Sequence, residues 1–109
     1  MEKKNKLNKK LKKISRIFPK LRNIEDINLL KIDKVGEYSI SIPEDAYKTT
    51  KIIKNLSGKI GLKNIVITDA TASVGGNTIS FSQNFEEVNA IEIDSNRFEY
   101  LKNNLNLYN

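Results

Sequence analysis

Asp69, the pair Gly75-Gly76 and Glu92 are the residues of this chain whose types and spacing could do chemistry. Asp69 ends an apolar, β-branched run, and the glycine pair opens a second apolar rhythm. An acid at a strand end supplies a hydrogen-bond acceptor. A glycine loop lets a ligand approach the backbone closely. The helix that follows offers unpaired N–H groups and the positive end of its dipole. In open parallel sheets, ligands bind beyond the carboxyl ends of the strands. The segment from Asp69 to Thr78 therefore lies where a nucleotide-like ligand would sit. Glu92 stands 16 residues past Gly76, at the end of a second apolar run. An acid there can accept hydrogen bonds from both hydroxyls of a ribose. A tight strand-to-helix turn with no ligand is the competing reading, and the spacing to Glu92 argues against it.

The ligand class follows by elimination. Dinucleotide sites carry G-x-G-x-x-G directly after the strand, and this chain has one adjacent glycine pair preceded by an acid. A P-loop needs Gly-Lys-Ser/Thr, and no lysine lies between Lys63 and Lys102. Without a phosphate clamp, a ligand without phosphates is favoured. S-adenosylmethionine fits, with an adenosine ribose, a sulfonium and an amino acid end. The chain has no Cys and no His. Disulfides, thiol nucleophiles, zinc fingers and imidazole bases are therefore excluded within it. A metal site would need carboxylates alone.

The elements that must position these residues are legible in the periodicity. Leu7, Leu11, Ile14 and Phe18 share one face of a basic helix over residues 1–18, closed by Pro19. Residues 24–30 read as a short helix. Alternation at Ile32, Tyr38, Ile40 and Ile42, with Val35-Gly36 as a turn, predicts a short hairpin. Ser41 and Glu44 have capping-box spacing, and Pro43 suits a first helical turn. The helix they open has Ala46, Thr49, Ile53 and Leu56 on one face and ends at Ser57-Gly58. Ile65-Val66-Ile67 reads as a strand covered on both faces. A helix over 77–84, a strand over 88–93 and a last helix capped by Asp94 complete the order strand, helix, strand, helix. Phe98, Leu101, Leu105 and Tyr108 share one face of that last helix. The order is the opening of a parallel α/β sheet.

"DATASVGGNTISF" followed by "VNAIEIDSNRFEYLKNNLNLY" resembles the class I S-adenosylmethionine-dependent methyltransferases. It looks closest to the RNA cap guanine-N2 (trimethylguanosine synthase) type and to similar predicted RNA methylases of large DNA viruses. Asp69 through Gly75-Gly76-Asn77-Thr78, Glu92-Ile93-Asp94 and Asn103-Asn104 carry the likeness. "SISIPEDA" resembles that family's Ser-x-x-Pro-Glu segment, and the likeness spans roughly residues 36–109. It implies an α/β fold, the N-terminal portion of a Rossmann-like sheet, that binds S-adenosylmethionine. The cofactor-binding residues would be Asp69, Ala70, Thr71, Ser73, Gly75, Gly76, Asn77, Thr78 and Glu92. Two departures stand out. Ser73 occupies a position where the family usually has Gly. The family's Asp-Pro-Pro-aromatic motif has no counterpart, since no proline follows Pro43. The expectation is an RNA methyltransferase domain, incomplete in this chain, with its catalytic residues unassigned. The alternative is a non-catalytic cofactor- or RNA-binding fragment or subunit that needs a partner to complete the fold.

Length and charge set the remaining bounds. A chain of 109 residues fits one small domain or part of a larger one, with a thin core. Residues 1–22 hold ten Lys or Arg and one Glu, and the rest of the chain is net acidic although the whole is +6. This divides the chain into a basic arm, 1–22, and a partial methyltransferase domain, 23–109. A basic arm suits contact with RNA phosphates. Lys, Ile and Asn make up 45 of the 109 residues, however, and an AT-rich coding genome would produce the same bias. Lysines on a merely solvated face are thus an equal reading. No apolar run is long enough for a membrane span, and none follows the basic start as a secretory signal would require. An intracellular location is the corresponding expectation, whether cytoplasmic, nuclear or, for a viral protein, the host cytoplasm or virion.

Overall fold

The computed structural model describes residues 2–109, and of these every side chain except that of Leu7. The Leu7 position of the expected apolar stripe therefore lies outside the described residues. The chain forms α1 (Glu2–Ile17), a 3-10 helix (Ile24–Leu29), α2 (Lys34–Ser39), α3 (Pro43–Lys59), β1 (Val66–Asp69), α4 (Gly76–Asn84), β2 (Glu87–Ala90) and α5 (Ser95–Tyr108). No helix among the described residues is long and apolar enough to cross a membrane.

α1 is anchored at its C-terminal end. Ile14, Ile17 and Phe18 are buried and join Leu30, Val74 and Ile79 in one cluster. Each such side chain contributes roughly 1.5–3 kcal/mol by leaving water. The lysines of the first turns stay in solvent. Ile17 was not part of the expected stripe. It enters the core because the chain turns at Pro19 and brings the 3-10 helix back against α1.

The expected hairpin over 31–42 is absent, and α2 takes its place. Asp33 caps this helix by accepting the Gly36 N–H at 2.8 Å. One short-range cap outweighs a weak period-2 pattern, because it satisfies an otherwise orphaned donor at once. Only half of the alternating residues face the core: Ile32 and Ile40 pack against it, whereas Tyr38 is 96% exposed and Ile42 is also exposed. Gly36, expected in a turn, is buried in the helix.

α3 corrects three further expectations. Its N-cap is Ile42, without a side-chain cap, so the Ser41–Glu44 capping box does not form. Ser41 instead accepts from Asn77 Nδ2 at 3.1 Å, and Glu44 pairs with Lys48. Pro43 does occupy the first turn. The buried face is Ala46, Thr50 and Ser57, whereas Thr49 and Leu56 are exposed. The Thr50 and Ser80 hydroxyls, 2.7 Å apart, join α3 to α4 through small polar side chains. The helix also runs past Ser57-Gly58. Gly61, at φ +75°, ends it: its N–H donates to Gly58 O, and that of Leu62 donates to Ser57 O. These two bonds form a Schellman cap, which needs a left-handed residue at this place.

β1 and β2 pair in parallel, with Val66 opposite Glu87 and Asp69 opposite Ala90, and α4 connects them. The crossover order matches the sequence reading. The strands sit slightly off the apolar runs, and β2 ends at Ala90 rather than Ile93. Exposure alternates along both strands. β1 is therefore covered on one face, not two: its outer face carries Val66 and Thr68, beside Glu87 and Asn89 of β2. The result is a mixed helix and strand architecture with a two-stranded parallel sheet.

Candidate cofactor site

Asp69 ends β1, half-buried, and its Oδ2 accepts from Thr78 Oγ1 at 2.7 Å. This bond ties the strand end to the first turn of α4. Ala70 and Thr71 follow on the surface, and the loop then turns inward through Ala72 and Val74, both buried. Ser73, between them, has φ +52°, and Gly75 has φ +111°. Both lie in the left-handed region that L side chains rarely occupy. Gly75 is the N-cap of α4, and no side chain caps that terminus.

The glycine pair has a packing role as well. A Cβ on Gly76 would stand 2.7 Å from Ile40 Cγ1 and 2.9 Å from the Ser41 carbonyl oxygen. The segment entering α3 thus lies directly against the loop. Close backbone approach is required here by the chain's own packing.

Glu92 lies two residues beyond β2 and turns back under the loop. Its Oε1 accepts the Ser73 N–H at 2.8 Å, and its Oε2 accepts the Asp94 N–H at 2.9 Å. The side chain is 9% exposed. Asp94 caps α5 as expected, accepting the Arg97 N–H at 2.9 Å. The structure therefore joins Glu92 to the loop through Ser73, and Asp69 to the loop through Thr78. Asn77 faces Ser41 instead, and its Oδ1 is buried without a hydrogen-bond partner in the protein.

Two residues escaped sequence reasoning as parts of this assembly. Asn104, fully buried in α5, donates to the carbonyls of Lys31 and Val74 at 2.8 Å each and accepts the Lys31 N–H at 2.9 Å. It fastens the upstream segment and the glycine loop to one helix. Its position in the Asn103-Asn104 pair was visible, but its partner 73 residues away was not. Arg97 bonds Asp33 Oδ2 at 3.0 Å. Its signal was its place in the first turn of a helix, where the dipole disfavours a cation unless acids compensate. Burial acts to raise the Asp33 pKa, but the Gly36 N–H and the Arg97 guanidinium outweigh it and hold the carboxyl below its usual value. The hydrogen bond to Asp33 raises the Arg97 pKa in turn.

An acid at a parallel strand end, a left-handed loop and an uncapped helix N-terminus thus come together. Comparison with known proteins covers this same stretch. Residues 63–109 match the RNA cap guanine-N2 methyltransferase family. The matched part of the chain holds β1, the loop, α4, β2 and α5. A relative, the uncharacterized protein L320 of Acanthamoeba polyphaga mimivirus, is 51% identical over 47 residues. That likeness covers 43% of this chain and 18% of the viral protein. The upstream segment clasped by Asn104, Arg97 and Asn77 lies outside the residues that match the family.

Proposed function

We propose that this chain is the cofactor-binding part of an S-adenosylmethionine-dependent RNA methyltransferase of the cap guanine-N2 type. The observation that carries the reading is Glu92, which lies two residues beyond the second parallel strand and is hydrogen-bonded to the loop that leads into α4. The donor set suits the ligand. Glu92 can accept from ribose hydroxyls, and Asp69 with the uncapped N-terminus of α4 offers polar contacts to an amino acid end. Ala70, Thr71, Ser73, Gly75, Gly76, Asn77 and Thr78 would line the same approach. When bound, S-adenosylmethionine supplies an activated methyl group. The chain's own contribution would be to bind and orient it in a Rossmann-like sheet, with residues 23–109 as the partial domain. RNA is the proposed acceptor, and the basic arm of residues 1–22 is its proposed contact.

A second reading has its own support. Ile93 is 98% exposed and Ile91 is also in solvent. An exposed apolar pair of this kind suits the alternative of a cofactor- or RNA-binding subunit completed by a partner.

Calorimetric titration with S-adenosylmethionine tests the proposal, with Glu92→Gln as the comparison because it keeps the shape of the side chain. Binding that the substitution weakens at least tenfold supports the cofactor reading. Absence of binding by the folded parental chain sinks it.

A further inference from the structure

Arg97 is surrounded by acids on three sides. Its NH1 lies 3.0 Å from Asp33 Oδ2, its NH2 3.6 Å from Asp94 Oδ2 and its Nε 3.9 Å from Glu92 Oε2. Its side chain is 23% exposed. Three carboxylates leave this cation no surplus charge with which to hold an RNA phosphate. Its three nitrogens instead point to three different acids, one on the upstream segment and two on the stretch leading into α5, which a planar fork can do and a single ammonium cannot.

The Glu92 carboxylate is held from both ends. Oε1 meets the Ser73 N–H of the loop, while Oε2 meets the Asp94 N–H and the Arg97 guanidinium. A ribose hydroxyl that engages Oε1 shares that oxygen with the Ser73 N–H, since a carboxylate oxygen can accept two hydrogen bonds. The Arg97 cation, 3.9 Å from Oε2, is the one charged group among the described residues that adds to the two backbone N–H groups in aiming the carboxylate. Outer partners of this kind orient a binding group without touching the ligand.

We propose that Arg97 is a positioning residue for the ribose-binding acid. It keeps Glu92 aimed and so sets the preference for a ligand with both ribose hydroxyls. This rests on the reading of Glu92 as the ribose acceptor.

The test is calorimetry on the full chain with S-adenosylmethionine and its 2′-deoxy analogue, comparing the ratio of their affinities. The parental chain is expected to favour the diol by about tenfold or more, because the analogue leaves an acceptor unpaired. Arg97→Met is expected to bring that ratio below about threefold. Arg97→Lys, which keeps the charge, should also lower it, because one ammonium cannot serve three acids. Asp33→Asn should keep the parental ratio, since it leaves the pairing of Arg97 with Glu92 in place. A merely structural Arg97 would change the melting temperature and both affinities together, leaving their ratio unmoved. Retention of the parental ratio in either folded Arg97 variant overturns the proposal. A folded parental chain that binds neither ligand overturns the cofactor reading, and this proposal with it.

Discussion

Ser73 donates its backbone N–H to Glu92 Oε1 at 2.8 Å, and it does so from the left-handed region of backbone space. The bond closes the glycine loop over the acid proposed to meet a ribose. A serine with φ +52° carries a conformational cost that glycine would not. The loop keeps this conformation because Ala72 and Val74 on either side are buried and Glu92 accepts the intervening amide.

Ser73→Gly is therefore expected to be neutral or to stabilise by up to about 1 kcal/mol. Relief of strain is set against the larger freedom of glycine in the unfolded chain. Ser73→Val should destabilise by about 2 kcal/mol, because a β-branched residue fits this region worst. Urea unfolding of the two variants checks the pair. A valine variant as stable as the parent would show that the loop relaxes freely.

Gly76 and Gly58 should respond in opposite directions to alanine. At Gly76 the new Cβ meets Ile40 and the Ser41 carbonyl oxygen, and that backbone atom cannot swing aside. A loss of about 1–3 kcal/mol is expected from overpacking. At Gly58, inside α3, nothing lies within 4 Å of the added methyl. Alanine there should add up to about 1 kcal/mol through helix propensity. Thermal melts of both variants decide, and the same sign for both would contradict the packing described for the 40–41 segment.

Asp33 gives the chain a pH signature. Its pKa is lower in the folded protein than its ordinary value of 3.8, because the Gly36 N–H and Arg97 outweigh the opposing effect of burial. A depressed carboxyl contributes stability that is present above the unfolded pKa and is lost as pH falls through the folded one. The melting temperature should thus fall as pH drops below about 4. Asp33→Asn should flatten that acid limb while lowering stability at neutral pH. An unchanged acid limb in the variant would assign the effect to other carboxylates.

The first ten residues of the basic arm precede its buried anchors Ile14, Ile17 and Phe18, and the lysines among them are exposed. Deleting residues 1–10 should leave the melting temperature nearly unchanged. It should weaken binding to a single-stranded RNA and reduce the slope of log affinity against log salt. The slope scales with phosphate contacts at about 0.7 each for single strands. Fluorescence anisotropy across a salt series measures both. Equal slopes for the two chains would show that the lysines only solvate the helix.

Local patterns in the sequence settled most of the elements. The stripe through Leu11, Ile14 and Phe18 places α1, Asp94 places the start of α5, and the two β-branched runs separated by the Gly75-Gly76 helix place a parallel pair. Such signals are short-range: a cap, a helical period and a breaker act within a few residues. The alternation around Tyr38 failed for the same reason, since nothing in it told a buried position from an exposed one. Only the tertiary structure decided which acid meets which partner. The Glu92 bond to Ser73 spans 19 residues, the Arg97 bond to Asp33 spans 64 and the Asn104 bonds to Lys31 span 73. Hydrogen bonds over such separations depend on how the helices pack, and packing depends on volumes and directions that no single stretch of sequence encodes. The residue types of the candidate site were therefore legible in the chain, while their mutual engagement belongs to the fold.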